Sequence, residues 1–359
     1  MEAYQDLEKS WADFNGLDPA GMVACSSGTA ALHLALEALQ LPPGSKVIVP
    51  DFTMIACARA VTLAGLTPVF VDCDDRLLMD LDCMSRATTD RGLDDPKRFL
   101  ARPISCIMAV HVYGRRCSED VLECAGLWDV RLMEDLAEAH GVNPHPNTNA
   151  ACWSFYRNKI VAGEEGGAVW FRDPEHAALA RQLRCLGFTD AHDFSHVPRG
   201  HNYRLANSLA GLIVKNLRAY RADLSGCGLT ARREVEAWYD EVCPADWRMP
   251  PRDAPWVYDL MLPFKGSLTG ELFSDHVVGE LRKEGIPARA GFKPMHEQEE
   301  YRGCRFVGGS ESVPGGRVTH YPMSSQMAAR IIYLPIQPGK TTRQDVAKSF
   351  EVIGRVLNG

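Results

Sequence analysis

No apolar run in the 359-residue chain approaches the roughly 20 residues that a helix needs to cross a bilayer, so no membrane span is expected. Basic residues are not in excess: the formal charge is −7, which argues against nucleic-acid binding through a cationic surface. The 12 cysteines are scattered, with no C-x-x-C among them. Several (Cys25, Cys57, Cys106, Cys152) lie inside apolar segments, where cysteine behaves as a small buried hydrophobe, and a reduced cytoplasmic setting fits them best. The G-x-G-x-x-G of a dinucleotide fold and the lysine of a P-loop are both missing, as are internal repeats and low-complexity segments. The acidic, helix-like start (Glu2, Asp6, Glu8) does not read as a signal peptide.

What is present is ordinary in bulk and specific in places. Hydrophobic residues make up 46% and charged residues 24%, the texture of a globular protein. The length exceeds one comfortable core, so two domains are expected, residues 1–240 and 241–359. The chain is organised around the stretch from Ala151 to Phe171. It reads as a strand, a turn carrying Lys159, a glycine-rich bend (Gly163, Gly166, Gly167) and a second strand. A lysine fixed between apolar strands can be kept from bulk water, which disfavours the ammonium and suits the amine to Schiff-base chemistry. A solvated turn lysine is the plain alternative.

Upstream, strands alternate with helices. Met22–Cys25 leads through Ser26-Ser27-Gly28-Thr29 into a helix of alanine and leucine; Val47–Pro50, Val69–Asp72, Ile104–His111 and Val130–Asp135 follow. With the two strands around Lys159 that makes seven, joined by crossovers into a mostly parallel sheet, an α/β architecture. Ligands of such sheets bind at the carboxyl ends of strands, near which Thr29, Asp135 and Ser154 all fall. A strand, a small polar turn and a helix offer free N–H groups to a phosphate, although a helix cap explains Ser27 or Thr29 equally well. Asp135 reads either as a helix cap or as a carboxylate that keeps a heterocyclic nitrogen protonated.

Downstream, Pro174–Leu186 reads as a helix, and the polar loop from Gly187 to Arg199 holds His192 and His196. Their spacing could suit a metal on a helix, but the loop-forming residues around them and the lack of a third ligand argue against one, and no metal site is expected. A long helical region from Leu209 to Tyr239 then bridges to a smaller α+β domain, with strands at Asp259–Phe264 and Ile331–Pro335 and a capped final helix.

In order, SGTAALHLAL, PVFVD, HVYG, EDLAEAHG, SFYRNK with GEEGG, GHNYRLAN and KPMHEQEEY resemble the DegT/StrS family of aminotransferases that use pyridoxal 5'-phosphate. These are best known for aminating keto sugars on nucleotide carriers, and the resemblance runs from about Leu7 to the C-terminus. It implies the fold-type-I architecture, a seven-stranded large domain and a small C-terminal one. It further implies that Lys159 holds the cofactor as a Schiff base, that Asp135 faces the pyridine nitrogen, and that Gly28, Thr29 and Ser154 hold the phosphate. Asn202 would reach the phosphate of the neighbouring subunit of a homodimer with shared sites. The retained lysine disfavours relatives that replace it with histidine and dehydrate.

Two departures stand out. Met54 occupies the position of an aromatic residue that often stacks on the cofactor, with Phe52 nearby, and Glu138 replaces a glutamine near the phenolic oxygen. The amino donor implied is glutamate and the acceptor a keto sugar, with sugar contacts expected from the Gly187–Arg199 loop and around Arg289 and His296. A cofactor-binding regulator without catalysis is the alternative of another class. An NAD- or metal-dependent enzyme is a third, disfavoured by the missing motifs.

Overall fold

The computed structural model describes residues 2–89, 103–189, 194–223, 228–263, 273–308 and 322–358. The first half alternates as the hydrophobic pattern requires: α1 (Ala3–Phe14), β1 (Met22–Cys25), α2 (Gly28–Ala38), β2 (Lys46–Pro50), α3 (Ile55–Leu63), β3 (Thr67–Val71), α4 (Leu81–Thr89), β4 (Ile104–Val110), α5 (Glu119–Leu127), β5 (Arg131–Asp135), β6 (Ala150–Ser154) and β7 (Gly167–Phe171). Polar caps start several helices: Ser27 Oγ accepts from the Ala30 N–H, Ser118 Oγ from Val121, and Asp173 from Glu175 just ahead of α6 (Pro174–Arg184). Cys25, Cys57, Cys106 and Cys152 are buried, and the described cysteines are free thiols.

The large sheet has the order β1-β7-β6-β5-β4-β2-β3-β10. It is parallel from β10 (Arg305–Val307) across to β6 and antiparallel at β6–β7 and β7–β1. The expected seven strands are therefore eight. The extra one is three residues long, too short for alternation to reveal, and comes from the C-terminal third to lie parallel to β3. α2 is buried on nearly every face, from Ala30 to Leu36, between sheet and neighbouring helices, which explains why small alanines alternate with leucines.

The long helical region from Leu209 to Tyr239 is two helices, α7 (Asn207–Arg221) and α8 (Leu229–Val242). Beyond them lie β8 (Val257–Met261), α9 (Phe273–Lys283), β9 (Arg289–Ala290), β10, α10 (Met323–Arg330), β11 (Ile331–Pro335) and α11 (Arg343–Asn358). β8 ends at Met261, short of the expected Phe264, which lies outside the described residues. β8, β11 and β9 form a second, antiparallel sheet over its own apolar cluster, including Leu260, Leu281, Ile332 and Ile353. A buried ion network joins the two parts. Arg115, which follows β4, grips Asp259 of β8 through two bonds (2.8 and 2.9 Å), and Arg252 links Asp259 to Glu236. Burial alone would raise the Asp259 carboxyl, but the two guanidinium groups hold it below the usual range. Among the described residues no helix is long and apolar enough to cross a membrane.

Candidate active site

β1, β2, β4, β5 and β6 run in the same direction, so their carboxyl ends share one edge of the sheet. At that edge lies a cavity of about 280 Å³, lined among others by Gly28, Thr29, Met54, Asp135, Glu138, Ser154, Lys159 and Arg289. Most of the sequence-predicted residues thus converge, from five separate segments.

The floor is a seam of close backbone approaches. A Cβ on Gly28 would stand 2.7 Å from that of Ser154, and one on Gly167 would stand 2.2 Å from the Ser27 carbonyl oxygen. Only glycine lets α2 begin against the β6 and β7 ends. Ser27 satisfies the Ala30 N–H, while the Gly28 and Thr29 N–H groups have no partner among the described residues. Two amides and the positive helix end are therefore free to receive an anion.

Asp135, 6% exposed, closes β5. Its Oδ1 accepts from the Ala137 N–H (2.9 Å) and its Oδ2 from the Cys57 thiol (3.2 Å), so no cation is bonded to it among the described residues. Burial, reinforced by the Asp135 charge, pushes the Cys57 thiol well above its ordinary value and keeps it a donor. Cys57 is thus more than the small hydrophobe its apolar surroundings suggest.

Lys159 stands in the turn after β6, its side chain 12% exposed. Nζ lies 3.4 Å from Glu138 Oε1 and 4.1 Å from the centroid of the Trp256 ring, whose own N–H donates to the Asn158 carbonyl (2.6 Å). Glu138 Oε2 accepts from the Tyr113 N–H (3.0 Å). Burial pushes the Glu138 carboxyl up, and the Lys159 charge and the Tyr113 amide offset this only in part. Behind the turn, buried His140 accepts the Val161 N–H on Nδ1 (3.1 Å) and so donates from Nε2 to the Ser154 carbonyl (3.0 Å). Burial and the Lys159 charge push its pKa down to about 3, leaving it neutral.

Other predicted residues fall differently. Met54 lines the cavity but is 51% exposed, as the residue preceding α3, whereas Phe52 is buried edge-on against Tyr113 and Phe292 and does not line it. His296 is also outside: its Nδ1 meets Asp51 Oδ2 at 2.6 Å and its ring stacks on Phe306. Asn202 is exposed, accepting from Arg204 Nε (3.1 Å), and is absent from the lining. His192 lies outside the described residues, and His196 Nδ1 bonds the Leu186 carbonyl. Trp256, Tyr333 and Phe292 line the cavity without having been foreseen. They come from irregular, proline-rich or short-strand segments, where no periodicity marks a side chain as facing a ligand.

Residues 2–352 match the DegT/DnrJ/EryC1/StrS aminotransferase family. The chain is 35% identical over 310 residues to a GDP-perosamine synthase of Caulobacter vibrioides, covering 82% of this chain and 78% of that protein. It is 31% identical over 366 residues to a UDP-N-acetyl-3-dehydro-alpha-D-glucosamine 3-aminotransferase of Acidithiobacillus ferrooxidans, covering 98% and 88%. Among solved structures, a DegT/DnrJ/EryC1/StrS aminotransferase from Brucella abortus superposes with a TM-score of 0.81 at 25% identity, over 98% of this chain and 90% of that one. With its mostly parallel sheet and its lysine, aspartate and free helix N-terminus on one cavity, the chain belongs to the DegT/DnrJ/EryC1/StrS aminotransferase family.

Proposed function

We propose that the cavity holds pyridoxal 5'-phosphate and that the protein moves an amino group from an amino acid, glutamate by the family resemblance, to a keto sugar carried on a nucleotide. One observation carries this reading. A buried carboxylate without a cation, a lysine amine and two free amides at a helix N-terminus line one cavity. Each answers a different part of one molecule: a cationic ring nitrogen, a carbonyl and a phosphate. The names of the two relatives above support the sugar and its nucleotide.

Bound there, the cofactor would supply a protonated ring that takes up the electron pair left when the substrate loses its Cα proton. The protein's own residues supply the rest. Asp135, buried at the end of β5, would hold the proton on the ring nitrogen, and the Cys57 thiol and Ala137 amide fix its orientation. The Gly28 and Thr29 amides with Ser154 Oγ would receive the phosphate. Lys159 would carry the cofactor and, once released, would move the Cα proton as base and then acid. Trp256 and Glu138 set where its Nζ lies, and His140 ties the Lys159 turn to the end of β6. Arg289, at the rim, offers a charge for an anionic substrate group.

The purified protein should be yellow, and borohydride should fix the cofactor to Lys159. A panel of nucleotide-linked 3-keto and 4-keto sugars, followed through the cofactor spectrum, should identify one acceptor. Lys159→Ala should lose both trapping and turnover, by about 10³-fold or more. A Lys159→Ala protein turning over at the wild-type rate, or a wild-type protein that traps no cofactor, would overturn the reading.

A further inference from the structure

Outside the cavity, α2 carries His33 and Glu37 one turn apart, and His201 reaches the same point from the segment between α6 and α7. His201 Nε2 lies 2.6 Å from Glu37 Oε2, and His33 Nε2 lies 3.8 Å from Glu37 Oε1. The three potential ligand atoms are within 4.8 Å of one another. Ligand atoms held about 2.0–2.1 Å from a tetrahedral ion stand roughly 3.3 Å apart. One measured separation falls below that value and the other above it, each to a different Glu37 oxygen, so closing the set around an ion requires these side chains to move.

His33 shows what the group is prepared for. It is 3% exposed, and its buried Nε2 completes no hydrogen bond, Glu37 Oε1 lying 3.8 Å away. An unpartnered buried imidazole nitrogen is costly unless something else meets it. The other nitrogen, Nδ1, lies 3.1 Å from Tyr203 Oη. With that contact made by an Nδ1–H donor, the Nε2 lone pair points to the cluster, as in metal-bound histidines whose second nitrogen is held by an outer partner.

We propose that His33, Glu37 and His201 bind one divalent transition-metal ion, zinc by ligand type, with water in the fourth position. Two imidazole nitrogens and a carboxylate are a common three-residue set for zinc. The ion would pin the segment from His201 to Arg204 onto α2. Asn202 lies next to one ligand, and Gly28 and Thr29 begin the helix that carries the other two. The same three residues without an ion form a tight His201–Glu37 pair and leave His33 Nε2 without a partner, which is the state to be distinguished.

Tag-free, cofactor-loaded protein stripped with chelator and titrated with Zn²⁺ against a chromophoric competitor should bind one ion per chain that His201→Ala does not bind. Glu37→Gln should weaken that binding by at least about tenfold. Co²⁺ in the wild type should give the visible bands of a tetrahedral site, absent from His201→Ala, and Zn²⁺ should raise the melting temperature of wild type only. His201 is partly exposed, so its replacement leaves the helix core intact, and circular dichroism verifies the fold. Zinc stoichiometry and affinity unchanged in His201→Ala, or no ion retained by the wild type, would overturn the proposal.

Discussion

Asp135 and Glu138 sit three residues apart and face the same cavity, yet burial acts on them in unlike company. Asp135 has two neutral donors and Glu138 has an amide and an ammonium group. If Asp135 holds a ring proton, Asp135→Asn should fold and keep cofactor while kcat falls more than about tenfold, some 1.4 kcal/mol. A loss within about threefold, ~0.7 kcal/mol, in steady-state assays would remove that role. Glu138 makes a different prediction. Its carboxyl is raised in the folded state, so its contribution to stability is full below the ordinary carboxylate range and lost as pH rises through the folded value. Glu138→Gln cannot ionise, so its melting temperature relative to wild type should be higher at about pH 7 than at about pH 4. Melts showing a flat difference, or one favouring the variant in acid, would contradict this. Asp135, Gly28, Thr29 and Ser154 were legible because each lies where a strand stops or a helix starts, those ends facing one edge of the sheet, and Lys159 because it stands in the turn that follows one of them. Trp256 and Cys57 were not, since a tryptophan among prolines and a cysteine in an apolar helix have the same sequence signature whether they pack or serve a site.

At the level of elements, His140 is the part of the site most exposed to acid. It bonds the β6 end and the Lys159 turn together as a neutral ring. Its pKa is pushed from 6.5 down to about 3, so its contribution is present above about 6.5 and lost as pH falls towards the folded value. Urea melts should therefore show wild type losing stability more steeply than His140→Gln between about pH 6.5 and 4, while the variant is weaker at pH 7 by roughly 1–3 kcal/mol. Parallel acid limbs for the two proteins would refute it. Strand existence was readable from uninterrupted apolar runs such as Val47-Ile-Val, and β11 fell at its expected residues. The break between α7 and α8 was passed over because helical composition continues on both sides of it, although Gly226 and Gly228 mark it in the sequence. α8 sends Val235 and Tyr239 into the second apolar cluster, so we propose that the C-terminal unit starts with α8 rather than at residue 241.

For the whole molecule, the open matter is how many chains complete one site. Asn202 is exposed and lies outside the cavity lining of its own chain, and the phosphate donors within that chain are few. If a second copy brings its Asn202 across a two-fold axis, inactive Lys159→Ala and Asn202→Asp proteins mixed under subunit exchange should recover activity. The mixed dimer then holds one site with both lesions and one with neither, giving up to half of wild-type turnover for that species. Verified heterodimers that stay inactive, with each variant folded, would place Asn202 in its own chain's service. The sequence spoke to this arrangement only through the family resemblance, because a surface polar residue looks the same whether it meets solvent or a partner.

The short strand β10 has a consequence for how the chain is made. It lies against β3, and well over half of the polypeptide is synthesised between the two. At roughly 5–20 residues per second, tens of seconds pass on the ribosome before the partner of β3 emerges. During that interval β3, apolar from Val69 to Val71, presents an open edge to any other nascent strand. Arg115 likewise waits for Asp259, a charge destined for the interior with its carboxylate not yet translated. The N-terminal part can collapse early, but its sheet edge and its buried charge are settled only when the C-terminal third arrives, and the interval before that is when this protein is most open to misassembly.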